Sequence, residues 1–284
     1  MARVALHAVD PSQRLALVRA FETAPATWDV FLWRAGRQFD VRVTDAPESD
    51  SDILFEPADP DRAVGAVAQA LARGNRRTIV VTGARRGCGV TTFALHFAAA
   101  AALQRDVVLV DLDPSSSLRA RLGLPDDARH WGEQTASAGL PHSAGFHLFL
   151  APPDGAGEPS LVLGAAGARA DHVIVDAPEE RWRDAALDAC TSAILVVPPS
   201  RQGIAHARKV LASRADVRWS CVVNRLGQGG ELTARHVARA LEQPVSIDLP
   251  CSPYLRDRED DHRLLNERWS RYFRRVARVS VAVL

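Results

Sequence analysis

The sequence predicts an α/β fold: a mostly parallel sheet with helices on both faces, plus a small α/β extension at the N-terminus. Three observations predict it. From Arg77 onward, short continuous apolar runs alternate with amphipathic stretches, the pattern of parallel strands covered on both faces and joined by helices. The first of these runs, Thr78 to Thr82, breaks into a glycine-bearing loop and then a helix, TIVVTGARRGCGVTT. Two later runs end in aspartates, VVLVDLDP and HVIVDAP, at the strand ends where open α/β sheets place their ligands.

Taken in order, residues 1–74 read as a small α/β piece. RVALHAV is a strand, PSQRLALVRAFETA a helix, and DVFLW, VRVT and DILFEP short strands, closed by a helix from about Asp59 to Arg73. A strand ending in acids before a helix is similar to a receiver domain, but the piece is short and has no lysine to complete a phosphoacceptor site. It reads as degenerate, with Asp10 as a loop residue. Gly74-Asn75 is a turn signal and sets the boundary, giving domains 1–74 and 75–284. Beyond it, strands are expected at 78–82, 107–111, 146–150, 172–176, 193–197, 219–223 and 244–248. Helices are expected near 91–105, 159–170, 181–190, 201–213 and 231–242.

Composition excludes several classes. With 284 residues, 47% hydrophobic and 24% charged, the chain can bury one large α/β domain and a small extension. A net charge of +1 gives no global pull toward nucleic acid, and no specific nucleic-acid partner is expected. No apolar run approaches the ~18 residues of a membrane span. Cys88, Cys190, Cys221 and Cys251 have no C-x-x-C spacing, and no secretory signal precedes the first strand, so a cytoplasmic location is expected. His130, Trp131, His142 and His147 lack metal-ligand spacing and read as solvated or core residues.

The glycine loop carries the chemistry. A strand that ends in a loop with Gly87 and Gly89 can aim successive backbone N–H groups at one point, and the helix that follows adds its positive end, so the concavity suits an anion. A phosphate-binding loop reads G-x-x-x-x-G-K-[ST]. Aligned on Gly89, this one reads Ala84, Arg85, Arg86, Gly87, Cys88, Gly89, Val90, Thr91, with Thr92 following. The hydroxyl is present and the lysine is a valine. Lys209 is the only lysine among 35 Lys+Arg residues, so drift from lysine would have left arginine at position 90. Phosphate neutralisation must then come from Arg85, Arg86 or Mg²⁺, and fast ATP hydrolysis is not expected.

The same letters match T-G-x-x-x-G-x-G, the cofactor loop of short-chain dehydrogenases, with Asp111 where a ribose-binding acid would sit. That chemistry runs on a Y-x-x-x-K pair. Ala205 stands four residues before the only lysine, so an NAD(P)-dependent oxidoreductase is the weakest reading. Period two instead puts Asp111 and Asp113 on one side of an extended chain, facing Mg²⁺ or a water, and Asp176 leaves its strand where a carboxylate holds a Mg²⁺ shell.

With the loop, D-x-D and D-x-P in this order, residues 75–284 resemble the MinD/ParA family of deviant P-loop ATPases. The resemblance implies a P-loop NTPase fold binding ATP or ADP with Mg²⁺ and working as a homodimer. It puts Arg85 at the signature lysine that reaches across the dimer and Val90 at the loop lysine. Thr91 falls at the Mg²⁺ ligand, Asp113 at the residue orienting the attacking water, and Asp176 at Walker B. Asn224, in CVVNRL, matches the residue that reads the base, and Asp248-Leu249-Pro250 the loop that closes over it. Missing the loop lysine and carrying a degenerate front piece, the chain looks most like the CpaE/TadZ group, the related septum-site proteins and the BcsQ type. These imply a spatial regulator or assembly factor in an envelope-associated complex that places pili, secretion of protein or polysaccharide, or the septum. ATP hydrolysis is then weak at most. The alternative is a pseudo-ATPase scaffold without nucleotide.

From Arg263, the residues Leu265, Trp269, Tyr272, Phe273, Val276 and Val279 recur at helical spacing, with Arg268, Arg271, Arg274, Arg275 and Arg278 on the rest of the surface. Such a helix packs on a core or, as in MinD-like proteins, makes peripheral contact with the inner membrane.

Overall fold

The structure, a computed structural model, describes the chain apart from residues 1, 23, 25–27, 35–38, 40, 48–51, 76, 116, 132–138, 153–157, 179, 228–231, 263, 266–269 and 284. The chain divides into two compact units, Met1–Arg76 and Arg77–Leu284.

The first unit holds β1 (Ala2–His7), a 3-10 turn (Pro11–Gln13), α1 (Arg14–Ala20), β2 (Trp28–Leu32), β3 (Val41–Thr44), β4 (Ile53–Leu54) and α2 (Pro60–Asn75). The strands form a parallel sheet in the order β2-β1-β3-β4. Its core joins Val4, Leu6, Val41 and Val43 to Leu17 of α1, Phe21 just after it, and Ala63 and Val67 of α2. Helix α2 runs through Gly74-Asn75, a turn signal by residue type alone; the helical hydrogen bonds outweigh the glycine's local preference. Asp10 caps the 3-10 turn, accepting bonds from the Ser12 N–H and hydroxyl.

The second unit contains β5 (Arg77–Gly83), α3 (Val90–Ala101), β6 (Val107–Asp111), α4 (Ser117–Arg121), β7 (Leu140–Pro141), β8 (His147–Phe149), α5 (Pro159–Arg169), β9 (His172–Asp176), α6 (Glu180–Asp188) and β10 (Ser192–Val197). After these come α7 (Arg201–Ser213), β11 (Trp219–Leu226), α8 (Ala234–Leu241), β12 (Val245–Pro250), α9 (Pro253–Asp260) and α10 (Arg271–Val283). The sheet order is β12-β11-β10-β5-β9-β6-β8-β7, parallel except for the β7/β8 pair. Alternation with period two sorts the strand residues between two cores. Ile79, Val81, Leu109, Ile174, Ile194 and Val196 face α3 and α10, while Val80, Val108, Val173 and Ala193 face α5 and α6. Leu195, Val197 and Val223 extend the second face beneath α7 and α8.

One open choice is decided here and one expectation is corrected. Of core and membrane, the apolar stripe of the last helix takes the core: Tyr272, Phe273, Val276 and Val279 are all buried, in one cluster with Phe93 and Phe97 of α3. A membrane contact through this stripe is therefore not available in this fold, because the face it needs is already packed. Arg271, Arg274 and Arg278 stay exposed, Arg275 bonds Asp248, and Arg263, Arg268 and Trp269 lie outside the described residues. No described helix is long and apolar enough to cross a membrane. Secondly, Asp248, Leu249 and Pro250 are strand rather than loop: Asp248 pairs with Val223 and Pro250 with Leu226 in the edge strand β12.

Candidate functional site

Three adjacent parallel strands, β5, β9 and β6, bring their carboxyl ends together. Asp176 is the cross-strand partner of Asp111 and of Val81. Both aspartates share parity with Leu109 and Ile174, so they emerge on the face covered by α3, and Asp113 follows two residues on. Between β5 and α3 runs the loop. Gly87 at φ +76° and Gly89 at φ +95° supply its left-handed turns, and a Cβ on Gly89 would lie 2.3 Å from the Asn224 Nδ2.

The predicted residues fall into two sets. Gly87, Gly89, Thr91, Thr92, Asp113 and Asp176 gather around the N-terminus of α3, with Thr91, Asp113 and Asp176 all buried. The other set has different surroundings. Val90 is 5% exposed and belongs to the apolar core, packed near Gly83. Cys88 is buried with its thiol donating to the Val196 carbonyl at 3.4 Å, and burial pushes that thiol up, so it is held as an inert thiol. Arg85 and Arg86 are exposed, and Arg85 donates to Gln202 at 3.0 Å. Asn224 reaches the loop, but its amide donates to the Cys88 carbonyl at 2.9 Å and accepts from the Arg225 N–H. In this conformation it braces the loop, and the base-reading role implied by the resemblance draws on the same amide.

Around the carboxylates the electrostatics are strained. Burial raises the Asp176 carboxyl to about 7; the Thr91 hydroxyl pulls it back, the Asp113 charge adds to the rise and Arg121 opposes it. Asp111 lies well above the ordinary carboxylate range, through burial first and the Asp176 charge second, and its Oδ1 accepts the Asp113 N–H. Among the described residues, neither oxygen of Asp176 has a hydrogen bond of good geometry. The Thr91 hydroxyl is near enough to act on its charge without satisfying either oxygen.

No protein-family model and no curated sequence matches the chain. Solved structures do. A ParA family ATPase from Chlorobium tepidum superposes with a TM-score of 0.60 at 16% identity, over 74% of this chain and 99% of its own. MinD from Aquifex aeolicus gives 0.60 at 20% identity, over 73% and 96%. The septum site-determining protein MinD of Pyrococcus horikoshii, complexed with Mg-ADP, gives 0.57 at 19%, over 73% and 95%. The fold is MinD/ParA-like.

Within this MinD/ParA-like frame the structure adds residues that the motif did not reveal. Arg121, at the end of α4, donates from Nη1 to the Thr92 hydroxyl at 3.3 Å, and Trp131 donates from Nε1 to the Asp111 carbonyl at 3.2 Å. The sequence offered no signal for the first and only an aromatic in a loop-rich stretch for the second. No group of three or more His, Cys, Asp or Glu that could hold a metal occurs among the described residues, so any cation here would take few protein ligands, as Mg²⁺ does. A cleft of about 440 Å³ lined by Arg235, Ile247, Arg275 and Val279 lies along β12 and shares no residue with the loop. Charge and orphaned polar atoms, rather than depth, mark the site.

The raised Asp176 carboxyl has a signed consequence. In the unfolded chain it ionises near 3.8, whereas in the fold it keeps its proton until about 7. Across that window the folded state binds the extra proton, so this contribution to stability is present at low pH and lost as pH rises through 7. Without Mg²⁺, Asp176→Asn is expected to melt further above the wild type at pH 8 than at pH 5, because the loss accumulates from 3.8 to about 7. A difference in melting temperature that is the same at both pH values would contradict the raised carboxyl.

Proposed function

We propose that the chain binds an adenine nucleotide, ATP or ADP, with Mg²⁺ at Gly87 to Thr92, Asp113 and Asp176. The ligand favours one homodimeric state of a spatial regulator or assembly factor for an envelope-associated machine, with ATP hydrolysis weak or absent. One observation carries the ligand: the buried carboxylate of Asp176, its oxygens without a hydrogen bond of good geometry among the described residues, beside Thr91 at the N-terminus of α3. A hard cation with oxygen ligands fits that set. Asp176 and the Thr91 hydroxyl would hold Mg²⁺, directly or through water, and Asp113 would orient a water. When bound, Mg²⁺ supplies charge to offset the carboxylates and the phosphates. The Mg-ADP complex of the similar P. horikoshii MinD supports the ligand class. The envelope role, the cytoplasmic location and the dimer are carried over from the resemblance.

The chain's own parts do the rest. The loop N–H groups and the end of α3 receive phosphate oxygens, and Asn224 holds the loop through Cys88. Val90 offers no charge to a γ-phosphate, so turnover is expected at or below the ~10⁻³ s⁻¹ of phosphate-loop enzymes that lack a charge-stabilising arginine. Titration calorimetry with ATP and Mg²⁺ is expected to show binding that Thr91→Ala and Asp176→Ala abolish, and light scattering a mass increase with ATP. The burial of Val90 in the apolar core favours a second reading, a scaffold that has lost its ligand. Absence of heat with ATP, ADP and NAD would establish the scaffold in place of the switch.

A further inference from the structure

We propose that Arg121 is the working countercharge of this site, exchanged between carboxylates and phosphate by Mg²⁺, and that it stands in for the charge Val90 leaves out of the loop. The inference rests on the nucleotide reading above. Helix α4 follows the D-x-D strand and turns its last residue back toward α3. There the guanidinium is half-buried and bonded to the Thr92 hydroxyl, one residue from Thr91. It is also close enough to Asp176 and Asp113 for both charges to favour its cationic form against the cost of burial. The two loop arginines are placed differently, both exposed, with Arg85 turned to Gln202.

A guanidinium in that position has two possible sets of partners. In the metal-free site it balances Asp113 and, above pH 7, Asp176, two buried carboxylates of which the second has no hydrogen bond of good geometry among the described residues. A nucleotide arriving alone brings further negative charge to a centre already short of cations, and binds weakly. With Mg²⁺ the carboxylates acquire a divalent partner, and the guanidinium, held at Thr92, is released to the phosphate oxygens, for which its planar fork is well shaped. The ligand class that follows is a nucleoside di- or triphosphate presented with a divalent cation. The exchange also makes the site metal-gated through residues of this chain alone.

The test is calorimetric titration with ATP at pH 8, where Asp176 carries its charge, in Mg²⁺ and in EDTA, for wild type, Arg121→Gln, Arg121→Lys, Asp176→Asn and the Arg121→Gln/Asp176→Asn double variant. In Mg²⁺, Arg121→Gln is expected to weaken binding about 10- to 100-fold, the scale of a charge-assisted bond. Arg121→Lys should recover roughly tenfold of that loss, since it keeps the charge without the fork. In EDTA, the wild type binds weakly, and Asp176→Asn binds about tenfold more tightly because Arg121 is freed. The double variant loses that gain. Wild-type affinity in Arg121→Gln, a lysine variant no better than glutamine, or a gain that persists in the double variant would each overturn the exchange while leaving nucleotide binding intact. Absence of wild-type binding in Mg²⁺ would overturn the nucleotide reading and the exchange with it.

Discussion

Val276→Asp is expected to destabilise the Arg77–Leu284 unit by about 4 kcal/mol, the scale of an unpaired charge placed in a packed core. Val276 is fully buried on α10, in the cluster that includes Phe93, Phe97 and Phe273. The helix packs along α3, which itself carries the loop, so the damage reaches the site. Denaturant unfolding followed by tryptophan fluorescence reads the loss, with Arg274→Asp on the exposed side of the same helix expected to change stability by less than about 0.5 kcal/mol. The pair also decides between core and lipid for the stripe. If Val276→Asp left the unfolding midpoint in place and abolished sedimentation with anionic vesicles, the stripe would be a membrane face and the packing described here would be wrong.

Gly89→Ala is expected to cost about 3 kcal/mol and to abolish nucleotide binding. A side chain at φ +95° is strained by about 1–2 kcal/mol. Its Cβ also meets the Asn224 Nδ2 at 2.3 Å, and moving that amide gives up the bond to the Cys88 carbonyl, worth about 1 kcal/mol. Gly87→Ala is the control: at φ +76°, with no atom within 4 Å of the new Cβ, it should pay the backbone strain alone. The Asn224→Ala background removes the clash, so Gly89→Ala should cost less there, a coupling that thermal denaturation of the four species measures. Equal losses for Gly87→Ala and Gly89→Ala would mean that Asn224 is not the brace of the loop.

The two substitutions show which parts of this protein are local. The loop was readable because a strand, two glycines and a helix start are consecutive, and each requires its residue type within a few positions. The aspartates at 111, 113 and 176 were readable for a similar reason, since period two and the end of an apolar run place a carboxylate at a strand terminus without any knowledge of its neighbours. The short β7 was missed because two residues carry no periodicity. Helix α4, of five residues, was missed for the same reason, and Arg121 with it.

Residue pattern alone thus settled the alternation of strands and helices, the glycine turns and the aspartates at the sheet edge, because each depends on backbone geometry over a handful of residues. Tertiary structure decided what no local pattern encodes. It set the order β10-β5-β9-β6 that pairs Asp176 with Asp111, packed the amphipathic α10 on α3, turned Asn224 onto the loop and brought Arg121 to Thr92. An apolar stripe suits lipid and core equally, and a charge is assigned a partner only when the chain brings distant segments together. The energy that chooses between them is burial and countercharge summed over contacts that are far apart in the chain.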